Sequence, residues 1–504
     1  MGRLITETTA SGGTVSYGYN ELNVKSQRKN ARGQQRKYFY DAAGRLTGYT
    51  CPEGAVSYTY DAAGNVLTVT DGNGTASREY DALNRVTKYT DTKGKTVRYE
   101  YDAVGCLVKM IYPDNTAVQY GYDATRRLTS VTDWQGRVTS YTYDANGRVT
   151  NVTKPDGSVT ATAYDSAQRV ISHVERSASG EVIVGYEYTY DTLGRISEEK
   201  DLAKNTKVCY TYDSLTRVTG RTVKTLEDVL VGEESYEYDA AGNITGAAEG
   251  SYVYDVNNRL TEACGNAIAY DMDGNMTSGP LGGSMVTFAY DSGNRLIKAG
   301  DCAYTYDAED LRIGSEEGGT QTEYTYNPQA KLSQLLMRTK DGVVTKYVYG
   351  LGLIGEESGG EFRTYHFDSR GSTVAVTGGM GDVTNTFAYD AYGRLTEKVG
   401  IDDIIFCYNG KYGVITEPSG LVYMRARYYS PELRRFINAD VVAGEISNAI
   451  TLNRYAYANG NPISNVDPLG LTAERGGLTI SWEFDPSYAD YLGCLLYTSP
   501  SPRD

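Results

Sequence analysis

The sequence predicts an all-β protein: Tyr-Asp β-hairpins tiled edge to edge into one long curved sheet. Three observations predict it. Tyrosine is in excess, with 47 Tyr against 8 Phe and 2 Trp. Tyr-Asp dyads recur about every 20 or 21 residues through the first half, as at Tyr40-Asp41, Tyr60-Asp61, Tyr80-Asp81 and Tyr101-Asp102. Between them lie Gly-, Asn- and Asp-rich turn signals, in a chain holding 56 Gly and 12 Pro.

Each element has a mechanical reason. A conventional core draws on Leu, Ile, Val and Phe, because a buried phenol needs a partner for its hydroxyl. Tyrosine in this excess suits a wall with an apolar body and a wet edge. In the unit Tyr58-Thr59-Tyr60-Asp61-Ala62-Ala63-Gly64-Asn65-Val66-Leu67-Thr68, Tyr58 and Tyr60 alternate across Thr59, so both rings share one strand face. Asp61 ends the strand by accepting N–H groups just ahead in an Asx-type turn. Gly64 supplies a positive φ, and Val66 and Leu67 open the returning strand. A second turn, such as Asp71-Gly72-Asn73-Gly74 or Pro155-Asp156-Gly157, links one hairpin to the next. One hairpin is marginal in water, whereas neighbours in an array pair each other's open edges. A carboxylate repeated at every turn therefore reads as structural, and no stretch has EF-hand or nonapeptide calcium spacing.

Composition removes several function classes. The formal net charge is −15. Nucleic-acid binding rests on clustered Lys and Arg; no such cluster occurs, so no nucleic-acid partner is expected. An acidic chain repels anionic membranes, and no run of roughly 18 apolar residues offers a membrane span. The seven cysteines stand apart with no CxxC pair and read as small buried residues or free thiols. With His173 and His366 the only histidines, neither a metal centre nor a cofactor is expected. His366, between Tyr365 and Phe367, reads as a packed or hydrogen-bonded strand residue.

The pattern YxYDxxGRLT resembles the YD repeats of the Rhs family, which includes the C components of insecticidal Tc toxins and, more distantly, the teneurins. A later stretch resembles the Rhs repeat-associated core domain. It carries Tyr365-His366-Phe367-Asp368-Ser369-Arg370-Gly371-Ser372, Tyr389-Asp390-Ala391-Tyr392-Gly393-Arg394-Leu395 and Tyr423-Met424-Arg425-Ala426-Arg427-Tyr428-Tyr429. Arg435-Phe436-Ile437, Leu452-Asn453-Arg454-Tyr455 and Asp467-Pro468-Leu469-Gly470-Leu471 follow. The resemblance divides the chain into a repeat array over 1–344, a core domain over 345–471 and the start of a variable region over 472–493. It implies a β-ribbon wound into a hollow shell and closed by the core domain. Such a shell holds a C-terminal toxin and cuts it free after the leucine of DPxGL.

In that family the cutting pair is an aspartate after an F-I-x-x segment and the aspartate of the terminal DPxGL. Those positions are Asp440 and Asp467 here, which puts the scissile bond at Leu471–Thr472. Arg454 matches the arginine of the family's L-x-R-Y segment and is read as orienting a carboxylate or stabilising the oxyanion. Two carboxyls a few Å apart cannot both ionise, so one can activate water while the other protonates the carbonyl. The chain departs from many members in reading Asp440-Val441-Val442-Ala443-Gly444 where they carry a second DPxG. The competing reading is that both aspartates merely cap turns. Arg425 and Arg427 are expected to alternate along one strand, sharing a face with Tyr423 and Tyr429 and stacked on phenols.

Met1-Gly2-Arg3-Leu4-Ile5-Thr6 fits the second half of a repeat, so further sequence is expected upstream. Residues 494–504 read as a translated sequencing adapter. The leading expectation is a polymorphic-toxin carrier, secreted or at a bacterial cell surface. Its partners would be its own C-terminal effector polypeptide as cargo, an immunity protein and secretion-system components, and its enzymatic activity would be confined to self-cleavage. The alternative is a cell-surface or wall-associated adhesion protein that binds glycans or partner proteins through the Tyr-rich sheet.

Overall fold

The computed structural model describes residues 2–9, 12–442, 444–445, 447–471 and 473–475. Thr472, most of the expected variable region, Cys494 and the adapter-like stretch 494–504 lie outside the described residues.

Asp41 shows how each repeat turns. Its Oδ1 accepts the N–H groups of Ala43 and Arg45, both at 2.9 Å, and its Oδ2 accepts Arg45 Nε at 2.7 Å. Gly44, at φ +81°, donates its N–H to Asp41 O at 3.0 Å. The same arrangement recurs at Asp144 and Asp191. Register slips just before each dyad tyrosine, as between Thr59 and Tyr60, and such bulges add twist to the ribbon. The dyad tyrosine reaches backward: Tyr60 donates its hydroxyl to Leu46 O at 2.6 Å and Tyr80 to Val66 O at 2.8 Å. The arginine reaches forward: Arg45 lies 4.9 Å over the Tyr60 ring and gives Nη1 to Asp61 O at 3.3 Å. Adjacent repeats are thus locked in both directions.

Consecutive strands pair antiparallel from Thr6–Thr8 to Leu230–Ser235, a 22-stranded sheet. A 5-stranded sheet over 237–267 and a 14-stranded sheet over 269–399 continue it, the latter running through residue 344 without a break. The interruptions are single residues, Tyr236 and Ile268. Their N–H groups still donate across to Thr219 O and Thr261 O, both at 2.9 Å. Among the described residues the only helices are three short 3₁₀ turns, and no helix is long and apolar enough to cross a membrane.

The ribbon winds back on itself. Arg32 Nε meets Asp273 Oδ2 at 2.6 Å, and Asn73 Nδ2 donates to Tyr306 O at 3.0 Å. Further along, the Tyr112 hydroxyl donates to Tyr347 O at 2.6 Å and Lys154 Nζ to Tyr365 O at 2.8 Å. These partners are 241, 233, 235 and 211 residues apart, so one winding consumes that much chain. His366, in Glu361–Phe367, is fully buried in this seam. Its Nδ1 is 2.9 Å from Glu175 Oε1 and its Nε2 is 2.8 Å from Thr377 Oγ1, a hydrogen-bonded strand residue as expected. One apolar cluster runs from Ala76 to Val466 and spans both windings.

Residues 404–471 leave the ribbon and pack against it. Ile415–Thr416, Val422–Met424, Arg427–Ser430 and Arg435–Phe436 form a 4-stranded sheet. Tyr429, Phe436 and Tyr457 are buried to within 1% exposure, and the Tyr429 and Tyr457 rings lie 4.2 Å apart. Met276 N donates to Ile437 O at 2.9 Å, and the Tyr455 hydroxyl donates to Gly274 O at 2.9 Å. These contacts seat the segment on the Asp271 turn of the second winding. The expected alternation of Arg425 and Arg427 along one strand does not occur. Val422 pairs with Tyr429, Tyr423 with Tyr428 and Met424 with Arg427, so Arg425 and Ala426 form the tip of a tight hairpin. Arg425 sits at φ +56°, and Arg427 stacks 3.6 Å from the Phe436 ring centre and not on a tyrosine.

Candidate active site

Asp467-Pro468-Leu469-Gly470-Leu471 is built as one more repeat turn. Leu471 donates its N–H to Asp467 Oδ1 at 2.9 Å, and Gly470, at φ +70°, gives its N–H to Asp467 O at 3.2 Å. Asn465–Val466 and Glu474–Arg475 pair as the flanking strands. These two bonds repeat those of the Asp41 turn, but the loop is longer: Tyr40 pairs with Leu46, whereas Val466 pairs with Glu474. Valine stands where the dyad tyrosine stood, and Leu471 stands where Arg45 supplied a guanidinium to its own aspartate.

Arg427 takes over that role from another part of the chain. Its Nη2 lies 3.3 Å from Asp467 Oδ2 and 2.7 Å from Asp440 Oδ2. A single guanidinium nitrogen therefore joins the two aspartates singled out from the sequence. Asp440 also accepts the Val442 N–H on Oδ1 at 2.8 Å. Each aspartate caps a turn, and one guanidinium nitrogen contacts both carboxylates. Asp440 and Asp467 are buried, at 7% and 2% exposure. Burial pushes the Asp440 carboxyl above its ordinary value, while Arg427 beside it pulls the other way.

Arg454 is placed differently from expectation. Its Nε donates to the main-chain carbonyl of Asp440 at 2.6 Å, its Nη2 donates to the same oxygen, and Asp440 N donates to Arg454 O at 2.9 Å. It fixes the backbone that carries Asp440, and its charge lowers the Asp440 carboxyl pKa alongside the larger effect of Arg427. Leu471 is buried beside Asp467; Thr472, on the far side of the expected scissile bond, lies outside the described residues.

Sequence reasoning missed Arg427. The signal was present in Arg425-Ala426-Arg427, but assignment to one strand face gave both arginines a packing role. The hairpin instead aims Arg427 at the aspartates. Its Nε donates to Gly470 O and its Nη1 to Arg454 O at 2.9 Å. Among the described residues, no group of three or more His, Cys, Asp or Glu side chains could hold a metal ion. Chemically, the arrangement offers two buried carboxyls on one guanidinium nitrogen beside the Gly470 turn. Burial of Asp440 favours its protonated form against the pull of the Arg427 and Arg454 charges.

A wound Tyr-Asp ribbon with a docked C-terminal segment defines a YD-repeat β-shell of the Rhs type. The chain belongs to the teneurin YD-shell family, which it matches over residues 13–178, 110–225 and 164–463. Among solved structures it superposes on a TcdB2-TccC3 crystal structure with a TM-score of 0.77 at 18% identity, over 93% of this chain and 28% of that one. It also superposes on a Photorhabdus luminescens Tc holotoxin pore, with a TM-score of 0.76 at 18% identity over 98% and 28%. In sequence it is 33% identical over 145 residues to the tRNA3(Ser)-specific nuclease WapA of Bacillus spizizenii, covering 28% of this chain and 6% of that protein. It is 34% identical over 109 residues to the tRNA nuclease WapA of Bacillus subtilis, covering 21% and 5%. The chain thus spans only a small part of the length of these relatives.

Proposed function

We propose that this chain is the cargo-holding and self-cleaving part of an Rhs-type toxin carrier, secreted or displayed at a bacterial cell surface. Its cargo is the effector polypeptide that follows Leu471, with an immunity protein and secretion-system components as further partners. In this reading the ribbon through residue 399 forms the wall, and 404–471, the last part of the expected 345–471 core domain, forms the cutting unit. The shell likeness to TccC3-containing structures and the partial likeness to the WapA nucleases support a toxin carrier.

Cutting is hydrolysis of the Leu471–Thr472 peptide bond. One carboxylate of the Asp440–Asp467 pair takes a proton from water, whose oxygen bonds to the Leu471 carbonyl carbon. The other carboxyl protonates the carbonyl oxygen, and collapse of the tetrahedral species breaks the C–N bond as the Thr472 nitrogen gains a proton. Arg427 holds both carboxyls in place, and Arg454 holds the Asp440 backbone. The observation that carries this reading is the shared Arg427 nitrogen beside a turn ending in Leu471.

The test is expression of the chain followed by a well-folded reporter after residue 493. Cleavage should give a product whose mass ends at Leu471, and Asp440→Asn or Asp467→Asn should each leave the polypeptide intact. A full-length band in the parent protein, or cutting that survives both substitutions, overturns the reading.

A further inference from the structure

We infer that Arg425 is a positioning residue that sets which peptide bond is cut, a role that rests on the cleavage reading above. Arg425 occupies the tip of the Val422–Met424/Arg427–Ser430 hairpin at φ +56°. Glycine, asparagine and aspartate fill such a position at lower cost. Its guanidinium is held by three separate segments. Nη1 donates to Pro468 O at 2.7 Å, and Nη2 donates to Ser333 O at 2.9 Å and to Tyr412 O at 2.8 Å. Nε reaches Ser333 Oγ at 3.3 Å. All of these acceptors are neutral, and burial pulls the guanidinium pKa below its ordinary value. A cation held in that way contributes geometry more than stability.

The geometry it supplies is registration. Three consecutive carbonyls before the scissile one are pinned by three consecutive residues of the hairpin tip. Pro468 O accepts from Arg425 Nη1, Leu469 O from the Ala426 N–H at 3.1 Å, and Gly470 O from Arg427 Nε. The next carbonyl along the chain is that of Leu471. Ala426 and Arg427 grip the turn, and Arg425 also anchors the tip to Ser333 in the wall and to Tyr412. Without that anchor the template can slide against the aspartate pair. A fork of this kind needs a planar guanidinium, because an ammonium cannot span the same acceptors.

The experiment uses the full chain with its C-terminal reporter and compares parent, Arg425→Lys and Arg425→Ala. Cutting should slow on the order of 100-fold, the cost of about 1 Å of misplacement. Product masses should spread to bonds flanking Leu471–Thr472, with the pH profile of the remaining activity unchanged. Millimolar methylguanidinium should restore rate and site to Arg425→Ala. Parent-like rate and product mass in both variants overturn the inference while leaving the cleavage reading intact. Slowing without misplaced products or chemical rescue, together with a lowered thermal midpoint, assigns Arg425 to fold stability and also overturns it. An uncut parent protein removes both proposals.

Discussion

The Asp41 turn and the Asp467 turn share two closing hydrogen bonds and differ in loop length and in the origin of the cation that meets the aspartate. At Asp41 it comes from Arg45, four residues on and 40% exposed in its side chain. At Asp467 it comes from Arg427, 4% exposed and bonded to a second aspartate. Environment then sets the charge. Hydrogen bonds from the Arg45 backbone and side chain hold the Asp41 carboxyl below its usual range, whereas burial raises Asp440. A structural motif becomes a candidate for chemistry when its own arginine is replaced by leucine and the cation is shared. Asp307 marks the intermediate case. Leu311 again stands four residues on, and burial together with the Glu309 charge pushes Asp307 well above the carboxylate range.

The strongest way to break the comparison is Arg427→Met. Both aspartates would remain buried with no guanidinium between them, and an uncompensated buried charge costs roughly 3–5 kcal/mol. Cleavage should be lost, and chemical denaturation should report a loss of that size. A variant that cuts normally would show that the shared cation is incidental.

Glycine substitutions sharpen it next. A Cβ on Gly470 would lie 2.6 Å from Met424 O and 3.1 Å from Arg427 N, while one on Gly44 meets nothing within 4 Å. Both glycines have positive φ, at +70° and +81°. Gly44→Ala should therefore show backbone strain alone, about 1 kcal/mol, and Gly470→Ala strain plus overlap, roughly 2–3 kcal/mol. Equal losses in a denaturation series would mean that the hairpin tip yields to the turn and does not template it.

How much of this was legible follows from what each feature depends on. The dyads, the Asx turns and the glycine conformations are local, so sequence showed them. The back-reaching Tyr60 hydroxyl and forward-reaching Arg45 were hidden, because they link neighbouring repeats across 14 and 16 residues, whose registration only the bulges fix. Arg427 was hidden for a sharper reason. A two-residue turn at Arg425-Ala426 inverts the face of everything after it, and Arg-Ala carries no turn signal in a strand-like run. Seam contacts such as Arg32 with Asp273 depend on the pitch of the winding, which no single repeat encodes.

Acidity separates the two regions by sign. Asp440 has a folded pKa raised above its ordinary 3.8, so its contribution to stability is present below that value and is lost as pH rises through the folded pKa. Asp41, Asp61, Asp81 and Asp165 are lowered, so theirs is present above 3.8 and lost as pH falls. Acid below pH 4 should loosen the array, while the rate of cutting should decline with rising pH as the pair loses its proton. Raising the pH should slow cutting; a rate that only climbs with pH would exclude a protonated carboxyl as the acid.

The smallest effect belongs to a single arginine of the array. Arg148 bonds Asp144 at 2.7 Å through Nε and lies 4.4 Å over the Tyr164 ring. Its removal takes one half-buried ion pair and one ring contact from a structure whose stability accumulates over neighbouring repeats. Arg148→Ala should lower the thermal midpoint by no more than about 2 °C and leave cutting untouched. Adding Arg85→Ala and Arg195→Ala, each in a separate repeat, should lower it in equal steps, because sites this far apart share no partner. If Arg148→Ala alone slowed cutting as much as Arg427→Met, the wall and the site would be mechanically continuous. The Asp41 and Asp467 turns would then be two ends of one strained device, and an inert frame with a reactive exception would no longer describe them.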